Sequence, residues 1–89
     1  MYYLDSTTKF KKDLKKIKRN QKDFGLAVDV LKILEEKGVQ AISAKRRPHE
    51  YKDNWECHIK PDLFIIWFQI ESPKIIRLIR IGSHSDLFK

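Results

Sequence analysis

The sequence contains one unbroken apolar run of six residues that limits the possible folds, Leu63-Phe64-Ile65-Ile66-Trp67-Phe68. It lies in the second of three strand-like segments, residues 54–60, 63–70 and 74–81, which are rich in Ile, Trp and Phe. Pro61-Asp62 and Glu71-Ser72-Pro73 separate these segments, and connections this short join antiparallel strands. We therefore predict an antiparallel sheet whose middle strand is covered on both faces.

Two helical patterns and a short opening strand precede the sheet segments. Residues 2–4 predict a strand, and Asp5 and Ser6 then offer oxygens that can cap a helix. Gly38 supplies a stop for the second helix. The residues at helical spacing are Phe10, Leu14 and Ile17 in the first helix and Phe24, Ala27, Val28, Leu31 and Leu34 in the second.

These patterns predict an α+β fold in a single domain spanning residues 1–89. The polar connection at Asn20 and Gln21 is short, so the two helices should form an antiparallel hairpin. The apolar stripes of this hairpin would then pack on the twisted antiparallel sheet, beside the N-terminal strand.

The net charge indicates the class of partner. A formal charge of +7 and a pI near 9.6 require a positive surface, because Lys and Arg are rarely buried without a partner. We therefore expect a polyanion or an acidic protein as the partner.

Cys57 is the only cysteine, and no Cys/His spacing resembles a zinc site. Without a secretion signal or a membrane-length apolar run, the chain is expected to be soluble and cytoplasmic.

Cations concentrate in the first helix and in the loop between residues 39 and 53. A charge run is most often a solvated helix face, but the excess of lysine in the first helix suits phosphate positioning. We predict that residues of both regions bind RNA phosphates without reading sequence. The residues predicted to do so are Lys9, Lys12 and Lys16 in the helix and Lys45, Arg46 and Arg47 in the loop.

Three histidines, His49, His58 and His84, are candidates for proton transfer near neutral pH. RNA carries its own nucleophile, the 2′-hydroxyl, so its cleavage needs a base, an acid and cations around the phosphorane. The segment from Arg80 to Phe88 offers a guanidinium and an imidazole at the end of a strand, where Gly82 lets the backbone turn. An equally plain interpretation makes this segment a polar turn followed by an apolar tail.

A second cluster lies around the turn between the first two sheet segments. His58 and Asp62 stand four residues apart there, and Cys57 should point to the opposite face from His58 because strand side chains alternate. We therefore interpret Cys57 as structural. His58 could simply occupy an exposed strand face, and Asp62 could be only the polar residue of a Pro-Asp turn.

Taken together, the two clusters resemble the YafQ-like branch of the RelE/ParE toxin superfamily. The family pattern E-C-H-I-x-P-D corresponds to Glu56 through Asp62, and R-x-G-[ST]-H-[SA]-x-L-F corresponds to Arg80 through Phe88. The resemblance implies a bacterial, ribosome-dependent mRNA endonuclease that needs neither a metal nor another cofactor. It also implies a cognate antitoxin as partner, the ribosome and mRNA as targets, and indirect contact with operator DNA through the antitoxin.

The resemblance also assigns roles by position. His84, Arg80, His58 and Asp62 match the family's catalytic residues, and Phe88 matches an aromatic residue that orients the nucleotide. His49 and Glu56 are further candidates for catalysis or substrate binding. The chain departs from the family pattern at Pro48, where an aspartate is usual, at Leu63, where relatives often have an aromatic residue, and at Asp53, where glycine is common.

In the resulting hypothesis, His58 or Asp62 helps to remove the 2′-proton, His84 protonates the departing 5′-oxygen, and Arg80 stabilises the phosphorane. On a strict two-residue alternation Arg77 and Arg80 point to opposite faces, and we choose Arg80 because it is closer to His84. Two other hypotheses remain: a ParE-like inhibitor of DNA gyrase, which would not need the histidines, and a basic RNA-binding module without catalysis.

Overall fold

A computed structural model describes residues 1–88, in which a five-stranded sheet carries a helical hairpin on one face. Lys89, the last residue of the predicted domain, lies outside the described residues. The strand order is β1-β5-β4-β3-β2, which confirms the α+β fold class. The strands are β1 (Tyr3–Ser6), β2 (His49–Tyr51), β3 (Asn54–Lys60), β4 (Leu63–Glu71) and β5 (Lys74–Gly82).

The sheet is mixed and not antiparallel throughout, because β1 pairs in parallel with β5 at the edge. The remaining pairs, β2 with β3, β3 with β4 and β4 with β5, are antiparallel as predicted. Their direction follows from short turns, whereas β1 is separated from β5 by most of the chain. No local turn sets its direction, so only the tertiary packing could determine it.

The helices are α1 (Thr8–Ile17), α2 (Gln21–Lys37) and α3 (His84–Leu87), with single 3-10 turns at Val39–Ala41 and Ala44–Arg46. The cap of α1 is Thr7 and not Asp5 or Ser6, because β1 continues to Ser6. Thr7 Oγ1 accepts a hydrogen bond from Phe10 N at 3.1 Å and donates one to Ile79 O at 3.0 Å. The cap thus attaches α1 to the edge of β5.

The end of α2 is also attached to the sheet. Gly38 has φ +75°, and a Cβ at this position would lie 2.9 Å from atoms of Tyr2 and Gln69. Glycine is therefore required by both the backbone conformation and the space. Gln69 accepts a hydrogen bond from Val39 N at 3.0 Å, so β4 holds the start of the basic loop that follows α2.

The main core lies between the helical hairpin and one face of the sheet. Its fully buried side chains include Phe10, Leu34, Ile65, Trp67 and Ile76. Within α2 the buried residues are Ala27, Val30 and Leu34, so the buried stripe includes Val30, which the sequence prediction omitted. The predicted Phe24, Val28 and Leu31 are only half-buried, since the helix lies rotated towards its 27–30–34 line.

The middle strand is covered on both faces, as predicted. Leu63 to Trp67 are all buried, and Leu63, Ile65 and Trp67 belong to the core beneath the helices. Phe64 and Ile66 are each 8% exposed and lie on the other face. We call this second surface the open face, because the helical hairpin lies on the opposite side of the sheet. Here β4 is covered by α3 and by side chains of neighbouring strands.

Candidate active site

The open face brings together residues from the two sequence clusters. Cross-strand partners share a face of a sheet, and the register places His58 beside Phe64 and Phe64 beside Gly82. The next row along the strands contains Glu56, Ile66 and Arg80. Residues of the first cluster therefore lie two strands away from residues of the C-terminal cluster, with apolar β4 side chains between them.

An aromatic group connects two of the predicted histidines. The ring centroids of His58 and Phe64 are 4.4 Å apart, those of Phe64 and His84 are 6.1 Å apart, and those of His84 and Phe88 are 4.9 Å apart. Tyr51 joins the edge of Phe88 at 6.3 Å. We call these five residues the histidine–aromatic cluster. It unites β2, β3, β4 and α3 on one surface.

The position of His84 is set by the short helix α3. Ser83 caps this helix by accepting from Asp86 N at 3.2 Å, and Asp86 Oδ2 accepts from Ser83 N at 3.4 Å. Asp62 accepts a hydrogen bond from His84 N at 3.3 Å. One oxygen of the predicted catalytic aspartate therefore holds the backbone that carries His84. The turn between β3 and β4 and the start of α3 are thereby joined.

The imidazoles of His58 and His84 are available to a ligand. Neither ring forms a hydrogen bond with another residue in the described range 1–88, although both pack against aromatic rings. His84 is exposed and His58 is half-buried. The ring nitrogens of both histidines are consequently free to contact a bound substrate, as a general acid or base must.

His49 differs from the other two histidines. Its Nδ1 lies 3.0 Å from the carbonyl oxygen of Arg47, and its Nε2 lies 3.2 Å from Glu56 Oε1. Both ring nitrogens thus lie within hydrogen-bond distance of acceptor oxygens. Glu56 is only 7% exposed, and His49 provides its side-chain partner. The structure therefore places His49 and Glu56 beside the histidine–aromatic cluster, but each side chain is already bonded to the other.

The guanidinium of Arg80 is held by an aspartate of α1. Arg80 Nε and Nη2 donate to the two carboxylate oxygens of Asp13 at 2.7 Å and 3.2 Å. Asp13 Oδ2 also accepts from Ile81 N at 3.1 Å. The hydrogen bonds that Arg80 donates to Asp13 are the main cause of the raised pKa of Arg80, and the nearby charge of Asp86 adds to it.

The two-residue alternation predicted opposite faces for Arg77 and Arg80, and this prediction is wrong. A β-bulge intervenes, since Ile66 pairs with Arg80 but Trp67 pairs with Leu78, leaving Ile79 as an extra residue. Arg77 and Arg80 therefore share the open face. They remain separate functionally, because Arg77 Nε pairs with Asp5 Oδ2 at 3.1 Å and Arg80 pairs with Asp13.

The predicted phosphate-binding cations have different environments. Lys9, Lys12 and Lys16 of α1 are exposed, as are Lys45 and Arg47 of the basic loop. Arg46 is instead half-buried, and its Nη1 donates to the carbonyl of Ile59 at 2.7 Å. A groove of about 590 Å³ lies between the basic loop and β3, and His58 forms part of its lining together with Lys45 and Arg47. The groove therefore adjoins the histidine–aromatic cluster.

Comparison with known proteins identifies the family. The sequence model for YafQ, a bacterial toxin of type II toxin–antitoxin systems, matches residues 2–89. The chain belongs to the YafQ family. It is thus a toxin of the type II toxin–antitoxin class.

Solved structures of toxins share this architecture. YafQ from E. coli strain BL21(DE3) superposes with a TM-score of 0.87 at 22% identity, with 100% of each chain covered. YafQ in the E. coli DinJ–YafQ complex gives 0.85 at 22% identity, again with 100% of each chain covered. A metal-bound toxin from Helicobacter pylori gives 0.85 at 34% identity, covering 99% of this chain and 100% of the other. A comparison with curated protein sequences finds no significant match.

Two further observations concern the chemistry available to this YafQ-family toxin. Within residues 1–88, no group of three or more His, Cys, Asp or Glu side chains is arranged to hold a metal ion. No helix in the same range has the length and apolar character needed to cross a membrane.

Cys57 is fully buried on the helical side, where burial raises the pKa of its thiol to about 12. Its place in the core, on the opposite face from His58, is the one that two-residue alternation predicted.

Sequence reasoning missed three residues of the toxin's candidate site. Phe64 was treated only as part of an apolar strand, although two-residue alternation places it on the opposite face from the core residues Leu63 and Ile65. Tyr51 gave no signal, because its contact with Phe88 joins residues far apart in sequence. Asp13 gave one signal that was not used: it is the only acid in α1.

Proposed function

We propose that this toxin is a ribosome-dependent mRNA endoribonuclease that works without a metal ion. The observation that carries the proposal is the pair of unengaged imidazoles, His58 and His84, placed on either side of Phe64. RNA cleavage through the 2′-hydroxyl needs one group to accept a proton and another to donate one. Two histidines on one surface can serve both purposes near neutral pH.

In the proposed reaction each of the two histidines transfers one proton. His58 accepts the proton of the 2′-hydroxyl while the 2′-oxygen forms a bond to phosphorus. The bond between phosphorus and the 5′-oxygen breaks, and His84 donates a proton to that oxygen. The products are a 2′,3′-cyclic phosphate and a 5′-hydroxyl. We assign the base to His58 in preference to Asp62, because one oxygen of Asp62 already accepts the backbone N–H of His84.

Cations and aromatic rings would position the RNA. Arg80 stabilises the negative charge of the phosphorane. Exposed lysines of α1 and the pair Lys45 and Arg47 hold neighbouring phosphates through charge, so binding should weaken as salt is added. The rings of Tyr51 and Phe88 offer faces on which bases can stack. These contacts read little sequence, and the ribosome would supply the register of the message.

The antitoxin is the second partner in this proposal. E. coli YafQ has been crystallised in complex with DinJ. We propose that this toxin is likewise held inactive by a cognate antitoxin with acidic or amphipathic segments, whose association the net charge of +7 would accelerate. Operator DNA would be contacted only through that antitoxin. A short acidic protein encoded beside this gene that copurifies with the toxin would support this assignment.

The decisive experiment is primer extension on a message translated with purified protein. Wild-type protein should cut the message, and His84→Gln should reduce cleavage by roughly 100- to 10,000-fold, the range for loss of a general acid. Ser85→Ala, on the same exposed helix, is the matched control and should cut at the wild-type rate. Thermal melts of all three proteins establish that they are equally folded.

Other outcomes distinguish the competing hypotheses. Full cleavage by His84→Gln would refute the catalytic assignment. Toxicity that survives replacement of both His58 and His84, together with inhibited gyrase, would favour the gyrase hypothesis. RNA binding that weakens with salt, without strand breakage by the wild-type protein, would favour the binding module.

A further inference from the structure

Two aspartate–arginine pairs on β5 look alike but have different surroundings. Arg77 and Asp5 are cross-strand neighbours joined by one bond, and their side chains are 47% and 46% exposed. Arg80 and Asp13 are joined by two bonds, and their side chains are 28% and 14% exposed. The second pair is therefore better shielded from water. Its two parallel hydrogen bonds between the planar guanidinium and the carboxylate also fix the orientation of both groups.

Asp13 is itself immobilised. Its Oδ2 accepts from Ile81 N, on the stretch of β5 that extends beyond the end of β1. The carboxylate is thus anchored to the backbone one residue after the arginine that it binds. Asp13 is also the only acid among the ten residues of α1, whose remaining surface is dominated by lysine. A carboxylate here lowers the positive charge of a surface that would otherwise attract RNA, so charge alone does not explain it.

We infer that Asp13 is a positioning residue for the proposed cleavage, holding one edge of the Arg80 guanidinium so that the remaining N–H groups face the phosphate. The inference rests on the proposed nuclease function. A guanidinium has five N–H donors, and Asp13 engages one on Nε and one on Nη2. Three donors remain for a phosphate. Because Asp13 orients the Arg80 guanidinium before substrate binds, no flexible side chain has to be ordered during the reaction.

The test is the rate of cleavage on translating ribosomes as toxin concentration is varied. Asp13→Asn should lower kcat by on the order of 10- to 100-fold, the effect of misplacing a reacting group by about 1 Å, with little change in KM. Asp5→Asn breaks the exposed pair on the same strand and is the matched control, with unchanged kcat. Asp13→Glu, which keeps the charge but lengthens the side chain, should retain part of the lost rate.

A double-mutant cycle separates positioning from a purely structural role. If Asp13 acts through Arg80, Asp13→Asn should cause no further loss of kcat in an Arg80→Ala background. A structural role predicts equal losses in both backgrounds. Thermal melts fix an assay temperature at which every variant is folded, and Asp13→Glu replaces Asp13→Asn in the cycle if the latter does not fold. Wild-type or higher kcat for Asp13→Asn would overturn the inference alone, whereas absence of cleavage by the wild-type protein would overturn the nuclease proposal with it.

Discussion

The two faces of the sheet use the same strands for different purposes. On the helical face, Ile65, Trp67 and Cys57 are fully buried, and the core contains almost only hydrocarbon. On the open face, the alternate residues Phe64, Ile66 and Glu56 are nearly as buried, but they are surrounded by imidazoles, a guanidinium and aromatic rings. Burial by helices produces stability, whereas burial by neighbouring side chains leaves polar groups within reach of a ligand.

The largest expected effect tests which face carries the stability. Trp67→Ala should lower the free energy of unfolding by about 3–5 kcal/mol, since it removes a fully buried ring and leaves a cavity. Phe64→Ala should cost less, because Phe64 lies on the open face and is not part of the core beneath the helices, yet it should slow cleavage by removing the ring against which His58 and His84 pack. Urea denaturation and primer extension measure the two effects. A larger stability loss for Phe64→Ala would contradict the division between the faces.

Adjacent residues on β3 provide a chemical test of the same division. Burial raises the pKa of the Cys57 thiol to about 12, so iodoacetamide at pH 8 should alkylate the folded protein at least on the order of a thousandfold more slowly than the unfolded chain. His58 should react with diethyl pyrocarbonate in the folded state, because its ring has no hydrogen-bonded partner among residues 1–88.

The raised thiol pKa also has a consequence for stability. The unfolded chain loses the thiol proton first, so the contribution of Cys57 to stability is present below about pH 9 and declines towards pH 12. Cys57→Ser should change this alkaline limb, which pH-dependent denaturation can measure. Rapid alkylation of the Cys57 thiol in the folded wild-type protein would show that solvent reaches the helical face of the sheet at this position.

The smallest expected effect concerns the turn at the edge of the open face. Lys52 and Asp53, between β2 and β3, have φ values of 50° and 68°, and glycine adopts such angles without strain. The left-handed backbone costs an L-residue about 1–2 kcal/mol, and the greater conformational freedom of glycine in the unfolded chain offsets roughly 0.5–1 kcal/mol of this, so Asp53→Gly should stabilise the protein by about 0.5 kcal/mol. Cleavage should not change, because within residues 1–88 no hydrogen bond or ion pair joins Asp53 to a member of the histidine–aromatic cluster. A lower melting temperature for this variant would contradict the assignment of the turn.

Local sequence patterns predicted much of the sheet and part of the site. The bounds of β3 were correct, and those of β4 and β5 were correct to within one residue, because Pro-containing turns and dense Ile and Phe content specify strands locally. The separation of Cys57 from His58 followed from simple alternation. The same rule failed for Arg77 and Arg80, since a bulge at Ile79 is specified by pairing with β4 and not by the β5 sequence.

Composition and short-range patterns were enough to predict the three central strands, the stop at Gly38, the positive charge and the residue types of the two clusters, because none of these requires a distant partner. Long-range packing set the parallel placement of β1, the engagement of His49 with Glu56, and the contact between Arg80 and Asp13, which lie 67 residues apart. Such contacts depend on how separate elements pack, and a short window of sequence contains only one of the two partners.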